Sequence, residues 1–278
     1  MIKVDFHTHS NYSDGVYSPA TLIEMAKENG LSYYALTDHD SVSGIEEANL
    51  KAEILNINFI PGIELSTENN DESVHLLGFF KDSSYQNIEF LKTLDTFKEN
   101  RKERARQMIL KLKKYYNIEI DYQSIASQNS DLIARPHIAK AIMKANYPYT
   151  FNQIFDRFIG KDCKAYVKAA RISTKEGIDL LHKYNALVFI AHPVFVNKTK
   201  IESFIEMGID GIECVYPKHS PKEQKNFAKI ADKNNLLISA GSDFHGLEND
   251  IKHGPLGSMF LDDNHLNLLL KALKKLKA

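Results

Sequence analysis

Residues 2–14 read IKVDFHTHSNYSD, a short apolar run followed at once by two histidines separated by a single residue. In a β-strand, side chains two positions apart leave the same face, so His7 and His9 aim their imidazoles at one point. Neutral imidazole is the commonest protein ligand for a transition metal, and the hard carboxylate of Asp14 follows within one loop. The stretch reads as a first strand whose end carries metal ligands.

Outward from it, short apolar runs at 2–6, 33–37, 59–65 and 74–80 alternate with helix-like stretches at 19–28 and 44–55. Ser18 before Pro19 is an N-cap followed by a proline preset for the first helical turn. The rhythm resumes near Tyr166, with strands at 187–191, 211–215 and 236–240 and helices at 174–184, 201–207, 221–234 and 266–276. Repeated βα units predict an α/β fold, a parallel sheet or barrel covered by helices. The section 81–165 breaks the pattern. It offers a long helical stretch at 85–115, shorter ones at 136–146 and 151–158, and no strand. It reads as a helical insertion subdomain between two barrel parts, 1–80 and 166–278.

The 278 residues can bury a large core, and 43% hydrophobic with 26% charged residues is ordinary for a globular chain. A net charge of −1 supplies no global field for nucleic acid, so any polyanion must meet a local patch. Cys163 and Cys214 form no close-spaced pair, which argues against a disulfide framework and against a thiolate-bound zinc. The start shows no apolar leader, and the apolar stretch at 187–196 is too short to span a bilayer. A cytoplasmic protein with no membrane contact and no obligate protein partner is expected.

Candidate ligands gather at the ends of the expected strands. His7 and His9 end the first, His39 in LTDHD the second, and Glu64 in PGIEL lies near the end of the third. His192 in IAHP follows a later strand, and Asp243 and His245 in GSDFHG follow the last; His75 in SVHLLG instead begins a strand. In parallel α/β folds the loops at the C-terminal strand ends build the active site, so residues distant in sequence converge there. His137, His182, His219, His253 and His265 lack this placement, and of these only His137 is retained. Six imidazoles and three carboxylates exceed the needs of one ion, which takes about three protein ligands in a catalytic zinc site. They suit two or three divalent ions, with Glu64 placed to bridge a pair. A mixed nitrogen and oxygen set without thiolate fits Mn²⁺, Fe²⁺ or Zn²⁺. Clustered cations acidify a bound water, grip phosphoryl oxygens and offset charge on a leaving oxygen, the apparatus of phosphate ester hydrolysis.

The series DFHTHSNYSDG, ALTDHD, PGIELS, VHLLGF, IAHP and AGSDFHG closely resembles the polymerase and histidinol phosphatase (PHP) family. The resemblance implies a distorted (β/α)₇ barrel, a trinuclear metal centre and phosphoesterase activity. Carried over motif by motif, it implies one ion on His7, His9, Glu64 and Asp243, a second on Glu64, His75 and His192, and a third on Asp14, His39 and His245. His39, Asp243 and His245 would be closest to the chemistry. Within the insertion, ARPHIA at 134–139 places Arg135 before a proline at a helix start, where a guanidinium can fork onto phosphate. That stretch is similar to the subgroup acting on nucleoside 3′,5′-bisphosphates and short 5′-phosphorylated oligonucleotides, which implies substrate contacts from Arg135, His137 and, less directly, Lys164. The expected activity is hydrolysis of a pAp-like bisphosphate to the nucleoside 5′-monophosphate. A 5′→3′ exonuclease on short oligonucleotides, a histidinol phosphatase and a non-catalytic nucleotide-binding module are the alternatives. The basic run at 98–114 reads mainly as the solvated face of a long helix, because Glu99 and Glu103 are interleaved.

Overall fold

A computed structural model describes residues 1–126, 133–248 and 250–274 of the chain. Strand β1 (Ile2–Asp5) leads through α1 (Pro19–Glu28) to β2 (Tyr33–Leu36), then through α2 (Ile45–Leu55) to β3 (Asn58–Asn69). These three strands run parallel. Ser18 caps α1 by accepting the Thr21 amide at 3.2 Å, as its position before Pro19 predicts.

The sheet then departs from the all-parallel expectation. Strand β3 continues four residues past Leu65, and β4 (Glu72–Phe80) returns antiparallel beside it, Asn69 opposite Glu72. Asn70 and Asp71, with φ of 50° and 55°, make the two-residue turn. Both central residues in the left-handed region match the right-handed twist of a hairpin, and Asn and Asp tolerate that region. The sheet is therefore mixed.

Helix α3 (Ile88–Tyr116) is followed by α4 (Tyr122–Ala126), α5 (Arg135–Lys144) and α6 (Phe151–Ile154), the last running into a π-turn at Phe155–Ile159. The chain re-enters the sheet with the short β5 (Ile172–Ser173) beside β3 and continues through α7 (Thr174–Lys183) and β6 (Ala186–Ile190). Then come α8 (Ile201–Met207), β7 (Gly211–Val215), α9 (Pro221–Lys233), β8 (Leu237–Ala240), β9 (Met259–Leu261) and α10 (Asp263–Lys274). Ser173 and Ser220 each exchange bonds with a glutamate three residues on, Glu176 and Glu223, closing capping boxes on α7 and α9. Helix α10 starts three residues before the expected Leu266, and the end of that expected helix lies outside the described residues.

The strand order is β8-β7-β6-β4-β3-β2-β1-β9, with β9 antiparallel on β1 and β6 antiparallel on β4. The two ends of the path approach each other at the mouth. Phe6 donates to the Ala240 carbonyl at 3.0 Å, Asp243 to His7 at 2.8 Å and His9 to Phe244 at 2.9 Å. These bonds nearly close a barrel, an α/β architecture with helices outside; Phe6, Leu77, Phe79 and Phe189 pack inside, while Ile63 alternates outward toward Leu181 of α7. Gly211 belongs to that packing: a Cβ there would sit 2.1 Å from the Phe189 ring.

The section between β4 and β5 carries a separate apolar core, in which Met108, Leu112, Ile138, Ile142, Ile154 and Ile159 are buried together. Helix α3 belongs to both cores, since Phe90 and Leu94 pack into the barrel. Among the described residues of 81–165 there is no strand. No described helix is long and apolar enough to cross a membrane. Replacing Leu112, fully buried in the second core, with Ala is expected to cost about 2–5 kcal/mol through lost contacts and the cavity left behind. A lowered urea midpoint measures it.

Candidate metal centre and substrate cleft

Every one of the nine candidate ligands lies at the same end of the barrel. Residues following β1, β2, β6 and β8 arrive there at C-terminal strand ends, as expected. His75 begins β4, but β4 runs the other way, so its first residues open onto that same mouth. The reversal at Asn70-Asp71 thus places His75 opposite Ser66 and beside Glu64.

Glu64 is the hub. Its Oε1 lies 2.8 Å from His75 Nδ1 and 3.0 Å from His192 Nε2. Its Oε2 lies 2.8 Å from His39 Nδ1, 3.2 Å from His9 Nε2 and 3.3 Å from His7 Nε2. Asp243 Oδ1 faces His9 Nε2 at 3.0 Å and His7 Nε2 at 3.3 Å, while Asp14 Oδ1 faces His245 Nε2 at 3.1 Å. Among the nine candidates, three sets have donor atoms all within 4.8 Å of one another: His7-His9-Glu64-Asp243, His9-Asp14-His39-His245 and His39-Glu64-His75. His192 joins through Glu64.

The donor atoms fit divalent cations better than they fit one another. His7 Nε2, His9 Nε2, His39 Nδ1, Asp14 Oδ1 and Glu64 Oε2 are buried, yet none has a hydrogen bond of proper geometry. Buried polar groups are otherwise nearly always paired, so converging orphans of this chemistry mark a place for a cation. Burial opposes ionisation of Glu64, but the imidazoles of His39, His7 and His75 outweigh it and hold its carboxyl well below the usual range. His75 is the counterexample among the imidazoles: burial pushes it down to about 4, leaving it neutral and able to ligate.

The backbone is bent to serve this convergence. His192, Asp243 and Asp40 have φ of 30°, 56° and 49°, in the left-handed region that non-glycine residues occupy at a cost. Behind them stands a layer of carboxylates that the sequence reading passed over. Asp38 takes the Ser10 amide at 2.7 Å and the Ser10 hydroxyl at 2.6 Å, and Asp5 takes the Ser242 amide at 2.9 Å and the Gly257 amide at 2.9 Å. Glu213 Oε1 accepts from His7 Nδ1 at 2.9 Å and its Oε2 from the His192 amide at 2.7 Å, which orients two candidate ligands at once. Tyr216 donates its hydroxyl to Asp243 Oδ2 at 3.0 Å. A carboxylate inside the apolar run Gly211-Ile212-Glu213-Cys214-Val215 was the available signal, since a fully buried acid needs a partner.

A cleft of about 450 Å³ opens directly from the cluster, with Asp14, His39 and His75 on its floor. Its walls bring Arg101, Arg104, Arg135, Lys161, Lys168 and Arg171 together, against Asp14, Glu68 and Asp71 as the carboxylates among the described lining residues. Burial, and then the neighbouring charge of Arg135, lowers the Arg104 guanidinium to about 10. Arg101, from α3, also clasps Asp40 and donates to Ser66 Oγ at 2.8 Å, and so braces the segment carrying His39. Arg135 stands in the wall over the rings of Phe155 and Tyr166. Two expected substrate contacts lie elsewhere. His137 Nδ1 accepts the Ala134 amide at 3.0 Å, capping α5 beneath the surface, where burial lowers it to about 4. Lys164 is exposed outside the lining residues, held by its amide on the Tyr116 hydroxyl.

A model of the PHP domain matches residues 5–161. The chain belongs to the PHP domain family. It is 31% identical to a 5′-3′ exoribonuclease of Haemophilus influenzae over 87% of this chain and 90% of that protein. It is 30% identical to a 3′,5′-nucleoside bisphosphate phosphatase of Chromobacterium violaceum over 88% of each. The fold superposes with a TM-score of 0.84 on a Bifidobacterium adolescentis protein provisionally assigned as a metal-dependent phosphoesterase, at 27% identity over 98% of this chain and 96% of that one.

Because Glu213 fixes the ring of His7, Glu213→Gln should weaken divalent-cation binding about 10–100-fold with the fold intact. Calorimetric titration with Mn²⁺, beside circular dichroism of the metal-free protein, checks it.

Proposed function

We propose that this metal-dependent phosphoesterase removes the 3′-phosphate from nucleoside 3′,5′-bisphosphates, leaving the nucleoside 5′-monophosphate. The observation that carries the reading is the shared floor. Asp14, His39 and His75 belong both to the ligand cluster and to a cleft crowded with guanidinium groups. A substrate with two phosphates matches a site with two anion-seeking regions, and 450 Å³ is a small-molecule volume.

In this reading His7, His9, Glu64 and Asp243 would hold one ion, Glu64, His75 and His192 a second, and Asp14, His39 and His245 a third. Bound Mn²⁺, Fe²⁺ or Zn²⁺ would supply Lewis acidity and an acidified water. The protein's own work is placement and charge, as phosphoryl transfer requires. Arg135, with Arg104 and Arg171 beside it, grips the phosphate that stays, and the rings of Tyr166 and Phe155 hold its guanidinium in place. His39, at the seam of cluster and cleft, lies nearest the path of the proton that reaches the leaving ribose oxygen. The section 81–165 acts as a cap subdomain that supplies Arg101, Arg104 and Arg135 to the roof.

Lys161 and Lys168, exposed at the outer rim, favour a second reading, an exonuclease that threads a short 5′-phosphorylated strand inward. Phosphate release from pAp and nucleotide release from a 5′-phosphorylated trimer, with Mn²⁺, separate the two. Turnover of pAp at least as efficient as that of the trimer is expected; a trimer cleaved while pAp stays intact overturns the bisphosphatase reading. His9→Ala and Asp243→Ala should abolish hydrolysis of either substrate.

Arg135→Ala removes a charge-assisted contact of about 1.5–3 kcal/mol. It should raise KM for pAp about 10–100-fold while kcat changes little, because the phosphate it grips does not react. Steady-state kinetics on the purified variant measures the split.

A further inference from the structure

We propose that His253, turned by Asp250, is an additional metal-ligating residue that meets the outer oxygen of Asp243. The inference rests on reading the cluster as a metal centre, and it adds a position outside the nine and outside every motif that carries the family resemblance.

The geometry begins in the segment between β8 and β9. The amides of Lys252 and His253 donate to Asp250 Oδ1 at 2.8 and 3.2 Å, a local turn that fixes this carboxylate. Its other oxygen, Oδ2, lies 2.7 Å from His253 Nδ1. A carboxylate only accepts, so Nδ1 carries the proton and Nε2 is left with its lone pair. The ring cannot turn away, because it stacks on His245 at 4.2 Å and 23°, and His245 stacks in turn on His9 at 4.1 Å.

His253 Nε2 faces Asp243 Oδ2 at 3.7 Å. That oxygen already receives the Tyr216 hydroxyl, and its partner Oδ1 faces His7 and His9. Two acceptors therefore look at each other across a gap too long for a direct hydrogen bond and are held there by their own supports. A divalent cation between them satisfies both. The carboxylate–imidazole pairing of Asp250 with His253 is also how proteins commonly orient metal-bound histidines. Donor atoms of Asp243, His245 and His253 lie within 4.8 Å of one another, which gives the cation a nitrogen and oxygen set of the kind Mn²⁺, Fe²⁺ and Zn²⁺ accept.

The test compares wild type with His253→Ala and Asp250→Asn, each stripped of metal and reloaded with Mn²⁺ or Zn²⁺. Metal per chain is read by elemental analysis after desalting, affinity by calorimetric titration, and geometry from the visible spectrum of the Co²⁺-loaded protein. His253→Ala should lose one equivalent or weaken one binding step about 10–100-fold and change the Co²⁺ spectrum. Asp250→Asn should weaken the same step by less. Melting of the metal-free proteins monitors folding, and Asp250→Asn carries the test alone if His253→Ala does not fold. Unchanged stoichiometry, affinity and spectrum in the folded variants overturn the proposal and leave the nine-residue centre standing. Wild-type protein that takes up no divalent cation overturns both.

Discussion

The structure turns on one carboxylate. Glu64 is fully buried and has five imidazole nitrogens within 3.3 Å of its two oxygens, drawn from four separated segments of the chain. A charge in such a place is tolerable only when cationic groups surround it. Each loop that brings an imidazole is therefore fixed from behind. Asp5, Asp38 and Glu213 take up backbone and hydroxyl donors beneath the mouth, and three site residues accept left-handed backbone to reach their positions. The barrel supplies the scaffold, but the convergence on Glu64 dictates the shape of its open end.

The hairpin of β3 and β4 shows how topology and chemistry are joined. A barrel of parallel strands alone would put the beginning of β4 at the far end, out of reach of the cluster. Reversal at Asn70-Asp71 brings His75 back alongside Glu64 within eleven residues of chain. The same reversal sends Asp71 and Ser73 into the cleft wall, next to Lys168 and Arg171. One two-residue turn thus serves both the cluster and the cleft.

Much of this was legible in the sequence because the ligands obey simple spacing. His7 and His9 follow the strand period of two, and Glu64, His192 and Asp243 each interrupt or end an apolar run. The direction of β4 was not legible, because the second half of β3, Ser66-Thr67-Glu68-Asn69, is polar and resembles a loop. Asn70-Asp71 is the one turn signal in that stretch. Glu213 was hidden inside an otherwise apolar strand, and its role follows only from which imidazole lies opposite. His253 follows no strand end; its proximity to Asp243 and His245 comes from the path of the loop, which no spacing rule encodes. The reading of the basic run at 98–114 fares differently along its length. Lys102 and Arg106 pair with Glu99 and Glu103 on the outer face, whereas Arg101 and Arg104 turn inward.

Helix α3 has a mechanical consequence. Its 29 residues span about 43 Å as one continuous rod, with Phe90 and Leu94 rooted in the barrel and Met108 and Leu112 rooted in the second core. Arg101 sits between these anchorages, clamped to Asp40 next to His39. A rod fastened at both ends and pinned in the middle transmits any tilt along its whole length. Rocking the helical section therefore strains the segment that carries His39, so the position of that section and the alignment of the cluster are geared together.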